Sequence, residues 1–201
     1  MIDAALAPHV RRLLAPAAQA LAGARVGADQ VTVAGFLVGA LAVPALAFGR
    51  YDLALAAILL NRVADGLDGA VARVRGPTDR GAFLDIALDF LFYALVPFGF
   101  ALADPAANAL AAAALIAAFV GTGSSFLAFA VIAERRGLTA AAYPTKGIFY
   151  LGGLTEGAET IALFVAMCLL PAAFPALAWG FAALCLLTTL MRWAQGWRAF
   201  R

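Results

Sequence analysis

Asp65 and Asp68, then Asp85 and Asp89, are the residues whose types and spacing could do chemistry in this chain of 201 residues, 65% hydrophobic and 13% charged. Read as helix, the first pair is three residues apart and shares one face, and the second is four apart and shares another. Carboxylates inside membrane segments are costly, and they mark functional sites by default. Two such pairs on neighbouring helices can hold hard divalent cations through oxygen ligands. That points to chemistry on a charged, phosphate-bearing molecule at a membrane surface. Helix-end salt bridges to Arg62, Arg73, Arg75 and Arg80 would account for one such aspartate, but poorly for two spaced pairs flanking one tight loop. Four anions at close range repel strongly in a partly buried site, and metal binding relieves that cost.

The neighbours of the aspartates are small. Gly66, Gly69 and Ala72 leave the first helix nearly bare beside its acids, and Gly81 does the same at the start of the second. Missing side chains let a ligand or a facing helix approach the backbone. Arg73 lies one turn beyond Gly69, where a planar guanidinium can meet a phosphate.

The elements that must position these residues are membrane helices. Soluble domains carry about 25% charged residues, and here the apolar surplus runs the whole length. A span needs about 20 apolar residues, so the chain accommodates roughly six. They are expected near 31–48, 53–73, 78–103, 107–133, 146–170 and 175–192, separated by Gly-, Pro- and Asp-containing breaks. Before them, Ile2, Leu6, Val10, Leu13, Ala17 and Leu21 form one apolar stripe. Residues 2–21 therefore read as an amphipathic interfacial helix, bent at Pro16. The expected fold is an all-α integral membrane protein: one domain over 1–201, with the interfacial helix at 2–21 and a six-span bundle over 31–192.

Six spans put both termini on one side. Twelve of the fourteen Lys and Arg fall on that side, Arg50 falls opposite, and Arg62 lies within the second span. The positive-inside rule makes that side cytoplasmic, which places the aspartates at the cytoplasmic loop between the second and third spans. The N-terminus lacks the basic-then-apolar order of a cleavable signal peptide. Cys168 and Cys185 lie in apolar runs and read as inert small hydrophobes. A net charge of +2 gives no sign of a nucleic-acid partner.

A second group of polar residues lies farther along. Arg135, Arg136, Lys146 and Arg192 sit at cytoplasmic ends of the last three spans and could bind a phosphate on a second substrate; the positive-inside bias also accounts for them. Glu156 and Glu159 fall within the fifth span and demand partners. Arg62 is the natural one, as a structural salt bridge; lining a substrate cavity is the functional alternative. Gly121-Thr122-Gly123-Ser124-Ser125 would let the fourth span pack closely on a neighbour.

The run Asp65-x-x-Asp68-Gly69-x-x-Ala72-Arg73, then Gly81-x-x-x-Asp85-x-x-x-Asp89, resembles the signature of the CDP-alcohol phosphatidyltransferases. The spacer from Val74 to Arg80 is one residue shorter than is usual there, a change that falls in the loop. The whole chain is similar to the YnjF-like inner-membrane group of that family. The resemblance implies transfer of a phosphatidyl group from CDP-diacylglycerol to an alcohol, with release of CMP. It implies Asp65, Asp68 and Asp85 as ligands of a pair of divalent ions, Mg2+ or Mn2+, with Asp89 at or beside the second ion. Asp89 would be the general base. Asp65, Asp68, Gly69, Ala72, Arg73 and Gly81 would contact the cytidine diphosphate. Gly27 to Thr32 resembles the family's entrance to the first span, which implies a nucleotide contact for Thr32, while Asp29 is expected to cap the helix. The resemblance further implies a bacterial plasma-membrane location, membrane lipid as surroundings, and a homodimer. The acceptor would be glycerol 3-phosphate, another polyol phosphate, serine or an unphosphorylated polyol, with Arg135, Arg136, Lys146, Arg192, Glu156 and Glu159 as candidate acceptor residues.

Two other functions fit an acidic membrane bundle. Intramembrane prenyltransferases also bind magnesium diphosphate on aspartate-rich helices, but they have more spans. A divalent-cation transporter would use acidic residues as an ion path, but gives no reason for Gly69, Ala72 and Arg73 beside them.

Overall fold

The computed structural model describes residues 2–137 and 153–201, with side chains from Arg12 onward. Among the described residues there is no strand. The helices are α1 (Ile2–Gly23), α2 (Ala28–Ala40), α3 (Ala42–Ala47), α4 (Tyr51–Arg75), α5 (Asp79–Ala103), α6 (Pro105–Arg135), α7 (Gly157–Leu169) and α8 (Phe174–Ala199), the last preceded by a single 3-10 turn at Pro171–Ala173.

Among the described residues, four stretches are long and apolar enough to cross a membrane: Ala28–Ala47, Asp79–Ala103, Pro105–Arg135 and Pro171–Ala199. Helix α4 matches α5 in length at 25 residues but carries the charged cluster. Helix α7 has only 13 residues. Here the expectation needs correction. The fifth apolar segment was expected to be helical from about Lys146, which lies outside the described residues. Residues 153–156 are not helical, and the helix starts at Gly157 with Glu156 as its N-cap. The Gly-Gly-Leu-Thr stretch before it has little helical preference of its own.

The first apolar stretch is also interrupted, between α2 and α3 at Leu41. Pro44 has no N–H to give the carbonyl of Ala40, and its ring crowds that turn. The Leu41 N–H bonds the nearer Val38 carbonyl at 3.1 Å. Helix α1, by contrast, runs unbroken through Pro16. Its protein-facing stripe is Leu14, Ala18 and Leu21, which pack on Ala70 and Val71 of α4; Leu13 and Ala17 of the expected stripe are exposed. A helix this rich in Leu and Ala has more than one apolar face, and contact with α4 selects between them.

The packing divides the molecule along its length. Phe92, Phe100, Phe164, Phe174, Leu46, Ile58 and Leu115 are fully buried and form the main core. Phe100 and Phe174 stack at 4.5 Å between centroids. The other half of α4 and α5 is built from small and acidic residues. There α2 lies close on α4 because Gly35 and Gly39 lack side chains. A Cβ at Gly35 would sit 2.5 Å from Cβ of Ala64, and one at Gly39 would sit 2.9 Å from the side chain of Asn61. Neither neighbour can swing aside. Gly35→Ala should therefore force α2 off α4 and destabilise the protein by about 1–3 kcal/mol, the usual range for overpacking. Thermal unfolding of the purified protein in detergent checks this.

Candidate active site

The site is set by a hairpin. Helix α4 ends at Arg75, and Gly76 turns the chain with φ of 96°, in the left-handed region that favours glycine. Pro77 follows, and Thr78 caps α5 by accepting the Gly81 N–H at 3.0 Å. Asp68 lies roughly 10 Å of helix rise before Arg75, and Asp85 roughly 9 Å after Asp79. Two antiparallel helices joined this tightly bring those residues to the same depth.

The structure bears out that geometry. Asp65, Asp68 and Asp85 each present a carboxylate oxygen, and these oxygens lie within 4.8 Å of one another. They line a pocket of about 250 Å³, its open mouth included, with Thr32, Arg62 and Asp89 also in its wall. Asp68 is buried, and its Oδ2 has no hydrogen-bond partner among the described residues. A buried carboxylate oxygen left unpaired is costly. A carboxylate that carries such an oxygen and is grouped with two others at this range is what a hard divalent cation would satisfy. The donor set therefore fits Mg2+ or Mn2+.

Asp89 shares the pocket but stands apart from the triad. Its Oδ1 accepts from Arg62 Nη2 at 2.6 Å. Arg62 also lies 3.7 Å from Asp65 Oδ2. The arginine expected to pair with Glu156 and Glu159 thus pairs with aspartates instead. The two glutamates sit at the start of α7, where backbone N–H groups lack helical partners. Glu159 accepts the Glu156 N–H at 3.2 Å, and Glu156 accepts the Gly153 N–H at 3.3 Å.

The remaining candidates divide in the same way. Thr32 lines the pocket and donates to the Ala28 carbonyl at 3.0 Å. A Cβ at Gly69 would meet only the tip of Arg73, at 3.5 Å, so packing among the described residues does not require that glycine. Gly69, Ala72 and Arg73 extend the face of α4 from Asp68 toward the loop. Gly81 does not line the pocket; a Cβ there would come within 2.9 Å of Asp29. Asp29 is not the cap of α2, since Gly27 holds that position and Asp29 pairs with Arg80 at 2.6 Å. Gln30 supplies the terminal bond instead, accepting the Gly27 N–H at 2.8 Å.

Among the described residues, the basic candidates do not form one cluster. Arg192 is buried and donates to the Thr122 carbonyl at 2.9 Å, while Arg136 donates to the Phe200 carbonyl at 2.8 Å. Thr122 and Arg136 are about 21 Å apart along α6 by helical rise. Arg135 is exposed at the same end of α6, and Lys146 lies outside the described residues. Gly121 and Gly123 serve packing, the first against Thr189 and the second against the ring of Phe90.

Sequence reasoning missed two features. One is Asn61, which accepts from Arg62 in the pocket wall; Arg62 itself was among the arginines weighed as aspartate partners. The other is the Gly35-x-x-x-Gly39 pattern, a known small-residue packing signal between membrane helices.

Known proteins place this arrangement. The CDP-alcohol phosphatidyltransferase domain matches residues 25–194. Inner membrane protein YnjF of Escherichia coli (strain K12) is 54% identical over 197 residues, covering 98% of this chain and 96% of its own. Archaetidylinositol phosphate synthase of Methanothermobacter thermautotrophicus is 39% identical over 93 residues, 46% of each chain. The crystal structure of Mycobacterium tuberculosis phosphatidylinositol phosphate synthase with manganese and citrate superposes with a TM-score of 0.73 at 22% identity, covering 92% of this chain and 88% of that one. A second crystal structure of that synthase, with CDP-DAG bound, gives a TM-score of 0.70 at 23% identity, covering 92% and 94%. These two likenesses establish the fold, and the matched domain together with the near-full-length relative establishes more: the chain belongs to the CDP-alcohol phosphatidyltransferase family and is a membrane phosphotransferase.

Proposed function

We propose that the protein transfers a phosphatidyl group from CDP-diacylglycerol to an alcohol, releasing CMP, with Mg2+ or Mn2+ held by Asp65, Asp68 and Asp85. The observation that carries this reading is the convergence of those carboxylates from two helices within 4.8 Å, one of them with a buried, unpartnered oxygen. The two crystal structures of the Mycobacterium tuberculosis synthase, one named with manganese and the other with CDP-DAG, support the cation and the donor.

In the reaction, an acceptor hydroxyl oxygen attacks the phosphorus that bears the diacylglycerol. The bond from that phosphorus to the bridging oxygen of the diphosphate breaks, and CMP leaves. Divalent ions in the carboxylate site would supply charge stabilisation for the leaving phosphate and align the two reactants. Asp89, in the same pocket wall but outside the triad, takes the hydroxyl proton as general base. Gly69 and Ala72 give the nucleotide access to the backbone of α4, and Arg73 offers a planar cation to its phosphates. Thr32 approaches from α2, and Gly81 keeps the start of α5 free of bulk.

The proposed setting is a bacterial plasma membrane, with six spans in one domain over 1–201. Helix α4 would serve as the second span and the segment ending in α7 as the fifth. Helix α1 would lie in the interface, and both termini and the aspartates would face the cytoplasm, in line with the arginine distribution. Small-residue faces on α5 and α6 would permit a homodimer. For the acceptor we propose a phosphorylated polyol, glycerol 3-phosphate or an inositol phosphate; the inositol phosphate synthase names among the relatives favour it.

A screen with labelled CDP-diacylglycerol and Mg2+ or Mn2+ tests this reading. Glycerol 3-phosphate, inositol phosphate, serine and inositol are offered in turn, and CMP and product lipid mass are read. The expected result is CMP release with a phosphorylated polyol. A purified, folded protein that releases no CMP with any acceptor would overturn the donor and the reaction together.

A further inference from the structure

We infer that Arg62 is a positioning residue for the transfer reaction, holding the Asp89 carboxylate in place within the shared pocket. The inference rests on the phosphotransfer reading above. Arg62 lies in the wall of the aspartate pocket on α4, with a side chain only 16% exposed. Such a residue is expensive in a membrane protein unless it is paired. Its nearest carboxylate in sequence is Asp65, yet that contact is loose at 3.7 Å. The short contact, 2.6 Å, crosses to Asp89 on α5.

The guanidinium is itself held from several sides. Nε and Nη2 both donate to Asn61 Oδ1, at 2.9 and 2.5 Å. Asn61 is fixed in turn by donating from Nδ2 to the Gly35 carbonyl of α2 at 3.0 Å. The guanidinium carbon lies 5.0 Å from the ring centre of Phe92 and 5.6 Å from that of Tyr93, both on α5. Three helices therefore define its plane and its direction. What it delivers is one hydrogen bond to Oδ1 of Asp89, which constrains that carboxylate together with a side-chain hydrogen bond from Tyr93. A general base works only within hydrogen-bond reach of the proton it takes, and a displacement of about 1 Å can cost about 10²-fold in rate. The planar fork matters because Nε and Nη2 together grip Asn61 Oδ1 and so aim Nη2 at Asp89; an ammonium can touch both oxygens but has no second, rigidly placed nitrogen to set that direction.

The test uses the full-length protein in detergent with Mn2+, CDP-diacylglycerol and whichever acceptor supports wild-type turnover. Arg62→Gln should lower kcat by about 10²-fold, and Arg62→Lys by about 10-fold or more, with the KM for CDP-diacylglycerol changed less than about threefold in both. Mn2+ binding, read by electron paramagnetic resonance, should persist in both variants. If Arg62→Gln does not fold, Arg62→Lys decides. Wild-type kcat in either folded variant would overturn the inference, because a charge that only neutralises its surroundings is replaced by lysine. Loss of Mn2+ binding in parallel with kcat would also overturn it, by making Arg62 part of the frame of the cation site. A wild type that releases no CMP fails the phosphotransfer reading itself and takes this inference with it.

Discussion

Asp89→Asn should lower CMP release by about 10³-fold while leaving CDP-diacylglycerol bound nearly as tightly as in the wild type. The expected size follows from the contribution of a positioned general base, about 10²–10⁴. Asparagine keeps a carbonyl oxygen that can accept from Arg62, so the 2.6 Å contact has a chemical successor and the pocket wall keeps its shape. What it lacks is any capacity to take a proton from the acceptor hydroxyl. Because Asp89 lies outside the carboxylate triad, Mn2+ binding should fall far less than it does when a triad residue is changed. Single-turnover CMP release, equilibrium binding of a labelled donor and Mn2+ titration separate these effects. Full turnover in Asp89→Asn would remove Asp89 from the base role. Loss of Mn2+ binding equal to that of a triad variant would make Asp89 chiefly a ligand.

Asp68→Asn should act at the other end of the mechanism. Asp68 brings the buried, unpartnered Oδ2 to the site, so its charge faces the other carboxylates with the least help from solvent. Removing that charge should weaken Mn2+ binding by more than about 100-fold, beyond the 10–100-fold typical of residues that merely support a ligand. CMP release at ordinary Mn2+ concentrations should fall by about 10³-fold, the scale of losing electrostatic stabilisation of a leaving group. Chelation of the wild type should have the same effect and be reversed by Mg2+ or Mn2+. The sign of the stability change is diagnostic. Without metal, the variant should melt at or above the wild type, because one member of a mutually repelling group is gone. If the aspartates were only salt-bridge partners of the nearby arginines, the same change would lower the melting temperature and leave metal titrations unaffected.

Much of this arrangement was legible before any coordinates. Helices α5 and α6 begin and end within two residues of the positions expected from apolar runs and turn residues. The hairpin between α4 and α5 follows from Arg75-Gly76-Pro77-Thr78, whose residue types stop one helix and cap the next. With that loop so short, helical periodicity alone carries Asp65, Asp68 and Asp85 to a common depth. Residues near one another in the chain obey local rules, and that part of the site is local.

Partners that meet only by packing were not legible. Arg62 had two plausible sets of carboxylates, and nothing in the chain chooses between Asp89 and the pair Glu156 and Glu159. The choice depends on where α7 begins. Since it begins at Gly157, those glutamates satisfy backbone N–H groups at a helix end, and Arg62 is left to α5. The stripe of α1 that faces the protein likewise depends on the surface of α4 it meets.

The amino-acid order alone determined the family signature, the apolar helices and the joining of two acidic faces by one tight turn, because each rests on side chains a few residues apart. Only the tertiary structure decided that Asp89 is held by Arg62 outside the triad, that Asp68 has a buried oxygen to offer, and that Arg136 and Arg192 bind separate backbone carbonyls. Those outcomes depend on contacts between helices distant in the chain, where the close approach at Gly35 and Gly39 and the start of α7 set which groups come within hydrogen-bond range.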